Sequence, residues 1–154
     1  MTADKEWQFV DTNIFVYAYD RGNGIKQRLA RKLIAGLWES RRGYVSIQVL
    51  QELYVTMSKK ASTPLPPETA YRIIADLSEW IHHVPGAGDV LEAINIQQRY
   101  GISFWDAMIV NSAGRTGCSV LWTEDLNSGQ VYGNVTVYNP FDREDRGADL
   151  LHLT

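Results

Sequence analysis

Phe9-Val10-Asp11-Thr12-Asn13-Ile14-Phe15-Val16 joins two apolar runs through an acid, a hydroxyl and an amide. The run over residues 7–10 has the length and apolarity of a short buried strand. Asp and Thr favour helix N-caps, so Asp11 and Thr12 mark the start of a short helix over residues 14–19. A carboxylate at the C-terminal end of a parallel strand stands where open α/β sheets bind ligands. Taken alone, Asp11 reads equally well as a helix cap.

The chain beyond repeats this alternation. Asp20-Arg21-Gly22-Asn23-Gly24 is turn chemistry. Leu29, Ala30, Leu33, Ile34, Leu37 and Trp38 follow at helical spacing, with Lys26, Arg28, Arg31 and Lys32 on the other face. Gly43-Tyr44-Val45 reads as a strand, and Ser46 caps a helix carrying Val49, Leu50, Leu53, Tyr54 and Met57, with Glu52 just off that stripe. After a proline-rich loop, Ala70, Ile73, Ile74, Leu77, Trp80 and Ile81 mark a helix, with a third strand expected over residues 82–85. Another helix opens at Gly86 and runs to Gly101. The next, from Ser103 to Ala113, is apolar on nearly all sides and is expected to be central and buried. Residues 119–123 read as a strand, Gly129 and Gly133 as a loop, and residues 135–138 as a last strand. Strands alternating with helices imply parallel pairing through crossovers. The expectation is an α/β/α sandwich around a mainly parallel sheet of four to five strands, with the domain over residues 1–141 and a tail over residues 142–154.

At 154 residues the chain is long enough for one domain with a substantial core. Its net charge of −3 gives no global signal for nucleic acid, although a local basic rim is compatible with that total. The single Cys118 excludes an internal disulfide and a cysteine zinc cluster, and its place in a buried strand makes it a core thiol. No apolar run approaches the ~20 residues that span a bilayer. Residues 1–6 lack the apolar core of a signal peptide, so a cytoplasmic protein with no membrane association is expected.

Four acids stand out by position. Asp11 follows the first strand, Glu52 lies on the third helix, Asp106 starts the buried helix, and Asp125 follows the fourth strand. Asp11 and Asp125 share a sheet edge if their strands are parallel, and helix N-termini point at that edge. Each acid has a plain reading: Asp11 a cap, Glu52 a solvated helical residue, Asp125 a turn residue with Glu124 as its competitor. Asp106 is harder to explain so, because a charge beside Phe104, Trp105, Ala107 and Met108 is costly when unpaired. Clustered carboxylates repel one another, and a divalent cation removes that cost. Hard ions such as Mg²⁺ take oxygen ligands and keep waters, the setting for hydrolysis of a phosphodiester.

In their order, Asp11-Thr12-Asn13, Ser46-Ile47-Gln48-Val49-Leu50-Gln51-Glu52, Phe104-Trp105-Asp106-Ala107-Met108-Ile109 and Thr123-Glu124-Asp125-Leu126 resemble the successive motifs of PIN-domain proteins. They are similar in particular to the VapC-type toxins of bacterial toxin–antitoxin pairs. The resemblance covers roughly residues 7–141. It implies a Mg²⁺- or Mn²⁺-dependent endoribonuclease, often a homodimer, with its acidic quartet at Asp11, Glu52, Asp106 and Asp125. It implies supporting roles for Thr12, Asn13, Ser46 and Thr123, and it selects Asp125 over Glu124. It also implies a cognate VapB-like antitoxin that lays an apolar segment between helices. Trp38 and Trp80 suit such a groove but read first as core. An RNA substrate calls for nearby cations, for which Arg41, Arg42, Lys59 and Lys60 are the candidates. The alternative is a non-catalytic RNA- or protein-binding module on the same fold. A receiver-type Mg²⁺ domain lacks its paired early acids and late lysine.

Overall fold

A computed structural model describes residues 6–20, 22–60 and 64–142, with backbone alone at residue 60. The expected tail beyond residue 142 lies outside the described residues. The strands are β1 (Gln8–Val10), β2 (Gly43–Ser46), β3 (Ile81–His83), β4 (Val120–Trp122), β5 (Val131–Tyr132) and β6 (Val135–Tyr138). The helices are α1 (Thr12–Tyr19), α2 (Gly24–Ser40), α3 (Ile47–Val55), α4 (Pro67–Leu77), α5 (Ala87–Tyr100) and α6 (Phe104–Arg115). A π-helical turn, Thr56–Lys60, extends α3.

The strands form one sheet in the order β3-β2-β1-β4-β6-β5. All neighbours pair in parallel except β5 with β6. The mainly parallel sheet is as expected, with six strands among the described residues instead of four to five. The sixth is β5, two residues between Gly129 and Gly133, both at positive φ (85° and 62°). Glycine tolerates that backbone at little cost and so punctuates the hairpin, which hides so short a strand within a loop-like sequence.

From β1 the chain steps outward to β2 and β3, then returns past β1 to β4. Crossovers between parallel strands are right-handed, so reversing direction puts the connecting helices on opposite faces. Accordingly α1 packs on α2 and α3, and α3 on α4, while α5 packs on α6. With both faces covered, the inner strands β1, β2 and β4 are buried along their length, as in Phe9, Val10, Val45 and Leu121, while the edge strands β3 and β5 carry exposed Ile81 and Val131. Ile14, Phe15, Leu33, Leu37, Val49 and Leu53 pack on them from the helices.

Helix α4 ends before its periodicity does. Ser78 donates to the Ile74 carbonyl (2.9 Å) and Trp80 to the Leu77 carbonyl (3.0 Å), and Ile81 already belongs to β3. The helix-like spacing of Leu77, Trp80 and Ile81 survives only as sequence. Trp80 is core, edge-on to Phe15 at 5.6 Å and to Trp38 at 5.5 Å. Trp38 is 38% exposed and covers the margin of that cluster. Cys118 is a buried thiol, pushed up to about 12 chiefly by burial.

Candidate metal centre at the sheet switch point

Neighbouring β1 and β4 are in register from Gln8↔Val120 to Val10↔Trp122. Asp11 and Thr123 therefore leave adjacent strands together, where the strand order reverses and open α/β sheets bind ligands. The Asp11 amide continues the ladder to the Trp122 carbonyl (3.0 Å).

Asp11 is 5% exposed and caps α1, its Oδ1 accepting from the Thr12 amide at 2.7 Å. Its Oδ2 accepts from the Thr123 hydroxyl at 2.9 Å. Thr123 Oγ1 in turn accepts from Asn13 Nδ2 (3.3 Å) and the Asp125 amide (3.1 Å). One hydroxyl thus joins Asp11, Asn13 and the turn that carries Asp125. Thr12 Oγ1 donates to Glu52 Oε2 at 3.2 Å, drawing α3 toward the same edge. Ser46 is fully buried and capped into α3, its Oγ accepting from the Val49 amide at 3.3 Å. That cap fixes the start of the helix that carries Glu52. Asp106 lies in the first turn of α6, where its amide donates to Ser103 Oγ (3.1 Å).

The four acids share one electrostatic neighbourhood. Burial pushes the Asp11 carboxyl from 3.8 up to about 7; the Thr123 and Thr12 bonds oppose this, and the charges of Asp125 and Glu52 add to it. Asp106 is also raised, by burial first and then by Asp125 and Glu52. Among the described residues, none of the four forms an ion pair. The donors are all oxygen, the set that hard divalent ions take. Buried Asp11 and half-buried Asp106, beside exposed Glu52 and Asp125, form a set of carboxylates that fits such an ion by charge and by donor chemistry. Among the described residues, no group of three or more His, Cys, Asp or Glu side chains is placed so that it could hold a metal ion as it stands.

Glu124 has a separate task. Its carboxylate takes Lys26 Nζ and the Tyr17 hydroxyl, the latter at 2.7 Å, so it faces α1 and α2. Its backbone amide donates to Asn13 Oδ1 at 3.3 Å. Sequence reasoning missed Lys26, because nothing local marks a partner 98 residues away. It also missed Gln48, whose Nε2 donates to Glu52 Oε1 at 2.9 Å and to the Trp105 carbonyl at 3.3 Å. Its four-residue spacing to Glu52 was a usable signal.

The expected RNA-facing cations are not beside the acids. Arg41 and Arg42 precede β2, at the opposite edge of the sheet, with Arg42 stacked 4.0 Å over the Trp7 ring. Lys59 lies seven residues beyond Glu52 as α3 runs away from the site, about 10 Å farther along the axis. The side chain of Lys60 is outside the described residues. Helix α6 is buried over residues 107–113, as expected, but its first turn opens to solvent, with Trp105 63% exposed. A cavity of about 450 Å³ between α5, α6 and the β5–β6 hairpin, lined by Tyr100, Asn111, Arg115 and Tyr132, contains none of the four acids.

A family model described as "PIN domain" matches residues 9–134. No curated protein matches the chain's sequence at a significant level. Among solved structures, a toxin–antitoxin complex from Klebsiella pneumoniae is similar at TM-score 0.65 and 18% identity, covering 88% of this chain and 98% of that one. VapC20 from Mycobacterium tuberculosis, described as a Sarcin-Ricin loop cleaving toxin, is similar at TM-score 0.56 and 20% identity, covering 74% and 86%. VapBC2 from Rickettsia felis, bound to a DNA fragment from the promoter, is similar at TM-score 0.58 and 19% identity, covering 86% and 97%. At these identities the likeness is one of fold.

Proposed function

Because this chain belongs to the PIN-domain family, we propose that it is an endoribonuclease that hydrolyses RNA phosphodiesters with Mg²⁺ or Mn²⁺, acting in the cytoplasm as the toxin of a toxin–antitoxin pair. The observation that carries this reading is the buried Asp11 carboxyl, held by Thr12 and Thr123 and pushed to about 7 beside Asp125 and Glu52. A fold built for stability alone gains nothing from clustering acids at that edge. The similarity to chains of toxin–antitoxin complexes, and to a Sarcin-Ricin loop cleaving toxin, supports an RNA substrate and a VapB-like antitoxin partner. A homodimer belongs to the same reading.

In this reading Asp11, Asp106 and Asp125 would hold the ion, and Glu52 would join them. The ion, when bound, supplies activation of water and stabilisation of the leaving oxygen. Thr123 keeps the Asp11 carboxylate aimed by donating to Oδ2, and Asn13 holds Thr123 in that orientation. Thr12 restrains Glu52, which would otherwise extend into solvent. Burial keeps water from the Asp11 carboxyl, which would have to be ionised to hold the ion.

The test is Asp11→Asn assayed with Mg²⁺ or Mn²⁺ and purified RNA. Cleavage is expected to fall by at least ~100-fold, the scale of losing an electrostatic group in the transition state. Undiminished cleavage removes the assignment. That no three of the described acids are placed to hold an ion as they stand favours the second reading, a non-catalytic RNA- or protein-binding module. That reading expects Mn²⁺ to leave the melting temperature of the wild type unchanged.

A further inference from the structure

We propose that Gln48 is a positioning residue of the acidic site, fixing the Glu52 carboxylate against the first turn of α6 so that the acids of α3 and α6 serve one ion. The proposal rests on the metal-dependent reading above and deepens it. Gln48 is 8% exposed, and its Nε2 makes both of its bonds to acceptors, Glu52 Oε1 and the Trp105 carbonyl. A carboxylate and a carbonyl cannot donate, so the amide orientation is fixed. Its Oε1 is then left buried, with no donor among the described residues.

An orphaned buried acceptor lowers stability, and an apolar side chain of similar shape at this position avoids that cost. The polar amide therefore needs a purpose other than holding the fold together. The geometry supplies one. Glu52 Oε2 is restrained by Thr12, the residue after Asp11, and Oε1 is restrained by Gln48, which also bonds the residue before Asp106. Glu52 itself lies on an exposed stretch of α3. With Gln48 removed, one of its two restraints is gone, as is the side-chain bridge from α3 to α6. Groups that orient ligands in this indirect way are worth roughly 10–100-fold in metal affinity.

The experiment compares the full-length wild type with Gln48→Met, reading Mn²⁺ affinity by isothermal titration calorimetry and metal-free stability by thermal unfolding. The expected result is Mn²⁺ binding weakened by roughly 10–100-fold, with a metal-free melting temperature that is unchanged or raised. A purely structural tie predicts the reverse, a lower melting temperature with unchanged affinity, and that result overturns the proposal. Should Gln48→Met not fold, Gln48→Asn, which keeps the amide but is one methylene shorter, is read in the same way. In a Glu52→Gln background, Gln48→Met is expected to add no further loss of affinity, because the effect passes through Glu52; a further loss of similar size overturns it. If the wild type binds no Mn²⁺, the metal-dependent reading falls and the proposal with it. If the wild type binds and Gln48→Met binds equally, only the proposal falls.

Discussion

The Thr123 hydroxyl ties together more of the candidate site than any one of its four acids does. A threonine hydroxyl has one hydrogen to give and two lone pairs, and here all three are used, toward Asp11, Asn13 and the Asp125 amide. Thr123→Val keeps the shape and removes all three bonds inside a fully buried position. Stranding buried polar partners costs about 1–3 kcal/mol, or roughly 2–4 °C of melting temperature per kcal/mol for a chain of this size. Thermal unfolding is expected to register that loss and RNA cleavage a larger one, with Thr123→Ser restoring both. A valine variant as stable and active as the wild type would show the hydroxyl to be idle. The sequence disclosed Thr123 only through its spacing to Asp125 in a motif. Gln48 and the Lys26–Glu124 pair stayed hidden, since each depends on a partner that chain order does not announce.

At the scale of elements, the site is held open by how the strands and helices meet, and one tight meeting can be tested. Gly43 begins β2 directly under Trp80; a Cβ there would lie 2.5 Å from its ring. The indole is in turn packed between Phe15 of α1 and Trp38 of α2. Gly43→Ala therefore must displace a large, buried, three-sided ring. Overpacking of this kind costs about 1–3 kcal/mol. The expected readout is a lower melting temperature with altered tryptophan fluorescence, and a smaller penalty in a Trp80→Leu background, where the space exists. Equal penalties in both backgrounds would locate the strain elsewhere. Element identity was legible in the long periodic stretches, α2 and α3 above all. It failed at α4, where Trp80 and Ile81 keep the helical spacing after the hydrogen bonding has turned. It failed again at β5, which is too short to show alternation between its two glycines.

For the whole molecule, two buried carboxylates pull stability in opposite directions with pH. Asp89 ties β3, α5 and α6 together, accepting from the Gly86 amide (2.8 Å), Asn111 (2.9 Å) and Arg115 (3.2 Å), with His83 Nε2 at 3.5 Å. The Gly86 bond first, then Asn111, holds its carboxyl below 3.8. Its contribution is present above that value and is lost as pH falls through its lower folded one. Asp11 has the opposite sign. Its folded pKa is raised to about 7, so its contribution is present below 3.8 and is lost as pH rises through about 7, a change on the order of 4 kcal/mol at most. Asp106 is raised as well and adds to the second effect. The metal-free protein is therefore expected to be most stable in mildly acidic solution and to weaken toward pH 8. An ion at the four acids requires ionised carboxylates, so its stabilising effect grows over the range in which the metal-free protein weakens. Melting curves with and without Mn²⁺ at pH 5.5 and pH 8 are expected to show a small shift at the lower pH and a large one at the higher. In Asp11→Asn the shift is expected to shrink at pH 8 and to lose most of its dependence on pH. A wild-type shift of equal size at both values would mean that Asp11 is not among the groups the ion must deprotonate.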